Sequence, residues 1–296
     1  MKISSLFKQG RPVFSFEIFP PKKNGSIEAV YKTLDELTGL KPDFISVTYN
    51  AGGASSAGGG CPEGCSTREI VCIIKEKYHT ESIAHLTCVN STREDIDSII
   101  GEFEQYGVEN VLALRGDINP DIPPKDDFRH ASELISYMKQ RSGLSFSGAC
   151  YPEGHTEADS LEEDIENLKK KVDAGAEHLM SQLFFDNGHF YEFLDKARAA
   201  GINVPIEAGI MPCVNANQIQ RMVTMCGASL PTKFTKMMAR FEHSPEAMRD
   251  AGVAYAIDQI IDLAANGVDG IHLYTMNNPY VAKKISKSVE SVLLGY

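Results

Sequence analysis

Eight short runs rich in β-branched and aromatic residues recur along the chain: 13–19 (VFSFEIF), 44–50 (FISVTYN), 82–88 (SIAHLTC), 110–116 (NVLALRG), 146–152 (FSGACYP), 178–185 (HLMSQLFF), 205–212 (PIEAGIMP) and 270–277 (GIHLYTMN). Their length and composition predict strands. Between most of them lies one segment whose apolar positions return with helical period. In 160–174, Leu161, Ile165, Leu168 and Val172 share a face, with Ser160 or Asp159 as the cap and Gly175 as the stop. Strand and helix alternate at spacings of roughly thirty residues, a rhythm that predicts a (β/α)8 barrel of parallel strands rather than a doubly wound sheet. The longer gap 213–269 predicts extra helical material between strands seven and eight. It includes 245–266, with Met248, Val253, Ile257, Ile260, Ile261 and Leu263.

Polar residues then become informative by position. Glu17, Thr48, His85 with Thr87, Arg115 with Asp117, Tyr151 with Glu153, Gln182, and Tyr274 with Asn277 all fall late in a strand or just after it. In a barrel of this kind that rim carries the active site. Glu17 is the sharpest of them, because it interrupts an apolar strand. Phe16 and Ile18 take one face, while Ser15, Glu17 and Phe19 take the other, and Pro20 with Pro21 ends the strand. A carboxyl group drawn out of water there has its pKa raised and can serve as a general acid. An acid satisfied by backbone donors or a basic partner is the equal alternative at this point.

Composition narrows the setting. With 43% apolar and 23% charged residues over 296 positions, this is an ordinary globular chain, long enough for one large barrel. No apolar run reaches the length of a membrane span, and Met1 to Gly10 does not resemble a signal peptide, so a cytoplasmic protein is expected. The seven dispersed cysteines, at 61, 65, 72, 88, 150, 213 and 226, suit reduced thiols. A net charge of −11 without a basic block argues against nucleic acid. Residues 51–65 (AGGASSAGGGCPEGC) read as a long flexible loop. Gly59 to Ser66 nearly fits a phosphate-binding loop, but Cys65 takes the lysine position, which rejects a nucleotide triphosphatase. Cys61, Cys65 and Cys72 lack a clear fourth ligand, so no metal is expected.

Two further constellations suit a ligand. Leu114, Arg115, Gly116 and Asp117 end the fourth strand with a cation, a glycine that admits close backbone approach, and an anion. Asp117 can accept hydrogen bonds from a heterocycle or favour a developing cation; a local Arg–Asp turn pair is the alternative. After strand five, Asp164, Asn167 and Lys171 form a polar stripe beside the core face, with Lys169 and Lys170 adding charge. Such a stripe is either a solvated face or a holder of ribose and phosphates.

The segments FSFEIFPPK, FISVTY, STRE, HLTC, LALRGD, YPEGH, NLKKKVDAGA, SQLFFD, GIMP and HLYTMN, in this order over nearly the whole chain, closely resemble methylenetetrahydrofolate reductases of the single-domain bacterial kind. The resemblance implies a single catalytic (β/α)8 domain spanning 1–296 that binds noncovalent FAD, with no regulatory domain. It also implies ping-pong reduction of 5,10-methylenetetrahydrofolate to 5-methyltetrahydrofolate by NADH or NADPH, an activity of one-carbon metabolism and methionine supply. A homo-oligomer, or association with a partner electron-transfer subunit, is implied as well.

Carried over by motif, Glu17 matches the general acid that opens the folate's five-membered ring to an iminium ion. Asp117 matches the residue near flavin and pterin, and Gln182 the hydrogen-bonding partner of the pterin. Thr48, His85, Leu114, Arg115, Gly116, Asp117, His130, Ala131, Tyr151, His155, Asp164, Asn167, Lys170 and Lys171 match flavin-contacting positions. On the substrate side, Glu17, Thr48, Asp117 and Gln182 are joined by Gln218 and by Asn278. The sequence departs from the family at three places. The TYGAGGST loop is interrupted here, with ASSAGGGCPEGC separating TYNAGG from STRE. Asn278 stands where many relatives have an arginine that meets the folate's glutamate tail. Lys170 replaces a common arginine and keeps the charge without the bidentate geometry. The rival readings are a proline-dehydrogenase-like flavoenzyme, a flavin-bearing accessory subunit that is inactive alone, and a colourless folate-binding methyltransferase barrel.

Overall fold

The computed structural model describes residues 1–21, 26–49, 66–118 and 123–294. Eight strands, β1 (Val13–Ile18), β2 (Phe44–Val47), β3 (Glu81–Thr87), β4 (Asn110–Leu114), β5 (Ser145–Cys150), β6 (Ala176–Ser181), β7 (Ile206–Ile210) and β8 (Gly270–Tyr274), close into a barrel in chain order. Every neighbouring pair is parallel, and β1 closes on β8 with Glu17 beside Tyr274. Helices α1 (Ile27–Thr38), α2 (Thr67–Tyr78), α3 (Arg93–Gln105), α4 (Ala131–Lys139), α5 (Leu161–Ala174) and α6 (Asn187–Ala199) return the chain after strands one to six, and α10 (Pro279–Leu293) follows β8. The expected (β/α)8 barrel is therefore the fold. Cys61 and Cys65, where the sequence suggests no metal, lie outside the described residues, as does loop 51–65. Cys72, Cys88, Cys150 and Cys213 are buried free thiols.

Strand alternation sorts the side chains as the pattern predicts. Phe16 and Ile18 join Ile45, Val47, Ala84 and Leu86 in the core between barrel and helices. Ser15 and Glu17 are also buried, but on the alternate face, toward the barrel axis. Inside the barrel, Val13, Phe44, Ile83, Leu112 and Met180 form a separate apolar layer with Ile3 and Leu6. Those last two belong to a short 3-10 helix, Ile3–Lys8, that the strand-and-helix pattern leaves unassigned. It plugs one end of the barrel, with Ile3 N donating to Asn110 Oδ1 at 2.9 Å and Phe7 stacked on His178 at 4.7 Å. At the opposite end the described residues line a cleft.

Helix α5 begins and ends where its sequence indicates: the Ser160 hydroxyl accepts from Glu163 N, and Gly175 stops it at φ 127°. That stop sets β6 two residues earlier than the run 178–185, because the strand starts directly after the glycine. Leu183 and Phe185 consequently leave the sheet. They pack instead against the extra helices α7 (Ala216–Cys226), α8 (Thr232–Phe241) and α9 (Pro245–Ala265), around Phe234, Met238 and Met248. These helices fill the long gap between β7 and β8. They build a second apolar cluster, with Met211, Cys213 and Ile219, beside the open rim.

Candidate active site

Glu17 lies near the C-terminal end of β1, only 6% exposed. Its backbone is held from the β8–α10 turn: Thr275 Oγ1 donates to Glu17 O at 2.6 Å, while the Asn277 side chain accepts from Phe19 N and donates to Phe19 O. Met276 and Asn277 both adopt positive φ, 52° and 53°, a costly conformation for residues other than glycine. That turn clamps the rim of β1 and so fixes the acid. The carboxyl Oε2 lies 3.8 Å from both His85 Nε2 and His272 Nε2, beyond hydrogen-bond reach. Burial outweighs the His85 contribution and pushes the Glu17 carboxyl up to about 7. It is thus a carboxylic acid that still carries its proton near neutrality.

The two histidines shift the other way. Burial drives His85 and His272 down from 6.5 to about 4, against the opposing pull of Glu17 on the first and Glu207 on the second. Both rings are neutral where Glu17 titrates, so neither is a cation that would draw off its proton. Their depressed values carry a stability signature: below about 6.5 the unfolded chain takes up protons that the folded chain refuses until about 4. These two groups should lower stability progressively across that window as pH falls. In urea titrations His85→Gln should show a shallower decline over the same window than the parent.

Above Glu17 opens a cleft of about 400 Å³, lined by Thr48, His85, Leu114, Arg115, Gly116, Asp117, Tyr151, His155, Gln182 and Tyr274. Among the described residues, Thr48 Oγ1 and His85 Nε2 are buried without a hydrogen-bond partner. Buried polar atoms in that state await one, and both face the cleft. The Gln182 side-chain oxygen accepts from Leu183 N at 2.9 Å, which leaves the amide NH2 for a ligand. Gly116, at φ 89°, sits so close to β3 that a Cβ there would come within 2.9 Å of Thr87 Cβ. Only glycine fits that turn, and the bare backbone borders the cleft beside it.

A second cavity of about 270 Å³ adjoins the first, sharing Leu114, Arg115, Ala149, Tyr151 and His155, and extends to His130, Ala131, Asp164, Asn167, Lys170 and Lys171. The stripe on α5 is therefore a cavity wall. Asp164 is 8% exposed and accepts from His155 N, Lys171 Nζ donates to Ala149 O at 2.8 Å, and Lys170 Nζ to Asn167 Oδ1 at 2.8 Å. Burial lowers the Lys171 pKa against the attraction of Asp164, and raises that of Asp164 against the attraction of Lys171. Arg115 is held by Glu157 through two hydrogen bonds of 2.5 and 2.7 Å, rather than by Asp117. Together the two cavities form one trough, acidic and aromatic at one end and lysine-bearing at the other.

A sequence model of the family described as methylenetetrahydrofolate reductase matches residues 2–290. The chain is also 38% identical over 269 residues to the 5,10-methylenetetrahydrofolate reductase of Pectobacterium carotovorum subsp. carotovorum, covering 91% of this chain and 87% of that one. The chain belongs to the methylenetetrahydrofolate reductase family. The Escherichia coli (strain K12) 5,10-methylenetetrahydrofolate reductase is 35% identical over 269 residues, with 91% and 88% covered. Methylenetetrahydrofolate reductase 1 of Schizosaccharomyces pombe is 35% identical over 278 residues, but the match spans 92% of this chain and 45% of the fungal one. Among solved structures, a Clostridium thermocellum protein described as binding two copies of 5-methyl-5,6,7,8-tetrahydrofolic acid superposes with a TM-score of 0.64 at 14% identity, covering 97% and 99% of the two chains. At that identity the likeness carries the fold alone. The reaction shown by membership is the reduction of methylenetetrahydrofolate, and the chain is an oxidoreductase.

For a methylenetetrahydrofolate reductase, the trough gathers nearly every position that the motifs single out. Two stand apart. Gln218, half-buried on α7, does not line either cavity, although Met222 one turn later on the same helix lines the cleft. Asn278 caps α10, its side chain accepting from Val281 N at 3.3 Å, and also lines neither. The sequence reading passed over a second buried acid. Glu207 on β7 is fully buried, as are His178 on β6 and His272 on β8. The signal was the one that exposed Glu17, a carboxylate interrupting an apolar strand, here within PIEAGIMP. Among the described residues no helix is long and apolar enough to cross a membrane.

Proposed function

We propose that the trough holds FAD and that this chain reduces 5,10-methylenetetrahydrofolate to 5-methyltetrahydrofolate with NADH or NADPH, in a ping-pong sequence serving one-carbon metabolism and methionine supply. The observation that carries this reading is Glu17, a buried carboxyl that keeps its proton to about 7 at the floor of the cleft. The residues present fit the cofactor. Thr48 and His85 offer polar atoms unpartnered among the described residues, Gly116 brings bare backbone to the cleft, and Arg115, Lys170 and Lys171 offer cations for a diphosphate. Asp164 and Asn167 add acceptors for ribose hydroxyls. When bound there, the flavin accepts a hydride from the nicotinamide and supplies one to the folate.

The chain's own work is acid catalysis and electrostatics. Glu17 gives its proton to the bridging amine of methylenetetrahydrofolate, so that the five-membered ring opens to an iminium ion. Asp117, exposed at the cleft wall, favours that cation. The Gln182 amide orients the pterin. Burial serves both steps, because a carboxyl desolvated in this way stays protonated until substrate arrives and water is excluded from the cation.

The test is anaerobic stopped-flow spectroscopy of the FAD-loaded protein. NADH or NADPH should bleach the flavin, and methylenetetrahydrofolate should restore its colour with formation of 5-methyltetrahydrofolate. Failure to retain FAD, or a reduced flavin that folate does not reoxidise, defeats the proposal.

A further inference from the structure

Below Glu17 a line of polar side chains crosses the barrel interior. Ser15 Oγ donates to Glu207 Oε1 at 2.6 Å and lies 2.6 Å from His272 Nδ1. His272 Nε2 in turn lies 3.3 Å from Ser46 Oγ and 3.8 Å from Glu17 Oε2. On the far side, His178 Nε2 is 3.2 Å from Glu207 Oε2, and its Nδ1 is 3.0 Å from Ser147 Oγ. Ser15, Glu207, His178 and His272 are at most 1% exposed. The acid is accommodated by a small residue opposite: Gly270 is its register partner on β8, and a Cβ there would lie 3.0 Å from Glu207 Cγ.

The arrangement has a direction. A serine hydroxyl has one proton, and here it is given to Glu207. Towards His272, Ser15 therefore can only accept, which requires the ring proton to be on Nδ1. The other nitrogen, Nε2, then carries no proton: it accepts from Ser46 Oγ at 3.3 Å and presents its lone-pair edge to Glu17 at 3.8 Å. At 3.8 Å a nitrogen lone pair disfavours the carboxylate, whereas an N–H in the same place would favour it. We propose that Glu207 is a positioning residue: by holding the Ser15 proton it selects the Nδ1–H form of His272, and so keeps Glu17 protonated from two side chains away. This rests on the reading of Glu17 as the acid of folate reduction.

Among the described residues the ionisable groups around the line are few. Glu17 meets His85 from β3 and His272 and Tyr274 from β8, and β2 contributes only the hydroxyls of Ser46 and Thr48. Glu207 meets His178 from β6 and His272 from β8, and β1 contributes only Ser15. The neutrality that a tautomer choice demands is met, because burial holds His272 down to about 4. Tyr274, raised well above 10 by burial and by Glu17, keeps its proton throughout.

Nitrogen-detected NMR of the parent protein, with His272 assigned by its loss in His272→Gln, reads the tautomer directly and needs no activity. A protonated Nδ1 with bare Nε2 is expected; a protonated Nε2 overturns the proposal. Glu207→Met removes the acceptor, so the Ser15 proton should turn to His272 Nδ1 and the ring proton should move to Nε2. The alkaline limb of flavin reoxidation by methylenetetrahydrofolate should then shift down by roughly one pH unit. An unchanged tautomer or an unchanged limb in the folded variant overturns the proposal, and should the variant not fold, the parent spectrum still decides. The underlying reading fails separately: undiminished reoxidation in Glu17→Gln would remove the acid while leaving the parent tautomer as found.

Discussion

Glu17→Gln should leave reduction of the bound flavin by NADH or NADPH within about twofold of the parent, yet slow its reoxidation by methylenetetrahydrofolate by about 10²- to 10⁴-fold, the usual worth of a general acid. The amide keeps the shape of the side chain and cannot give up a proton. Separate measurement of the two half-reactions in a stopped-flow instrument makes the contrast visible, and equal losses in both would assign Glu17 a structural role. The same variant has a pH signature in stability. The folded Glu17 value of about 7 stands above the ordinary glutamate value of 4.5, so in that interval the folded chain holds a proton that the unfolded chain has lost. Stability from this group is therefore present at low pH and declines as pH rises to about 7. Urea midpoints of Glu17→Gln should lack that decline, and the variant should gain on the parent as the pH is raised.

Gly252→Ala should destabilise the fold by about 3 kcal/mol, at the upper end of ordinary overpacking. Gly252 faces the chain just after β7, and a Cβ there would come 1.7 Å from Cys213 O. The obstacle is backbone, which no rotamer change relieves, so α9 would have to move off the barrel. Cys213 and Met248 belong to the cluster beside the rim, so displacement there also disturbs Met211, which lines the cleft. Chemical denaturation should show a lowered midpoint with an unchanged slope. A midpoint within experimental error of the parent would mean that the helix and the loop are not packed this tightly in solution.

Much of the site was legible because a parallel barrel makes position along a strand equivalent to position in the molecule. Late-strand residues from β1, β2, β3, β4 and β8 converge on one rim whatever their separation in sequence, and Glu17, Thr48, His85, Arg115 and Tyr274 do so. The stripe of Asp164, Asn167 and Lys171 was legible as a stripe, but a solvated face has the same period as a cavity wall. Which of the two it is depends on the neighbouring loop, where His130 and His155 close the second cavity. Gln218 and Asn278 show the converse, since a motif match carries them to a loop or helix end without saying where the side chain points. Asn278 is engaged as a helix cap.

From the sequence alone follow the alternation of strand and helix, the barrel, the rim and the isolated acid in β1, because these depend on local period and on which residues tolerate water. The 3-10 plug of Ile3–Lys8 had too few residues to establish a period. The partnership of Ser15, Glu207, His178 and His272 joins residues up to 257 positions apart across the barrel axis, and only closure of β1 on β8 brings them together. The tertiary structure also decided how acidic Glu17 is. Its pKa is a property of the water removed and of the neutral rings set against it, and no stretch of chain around residue 17 contains either.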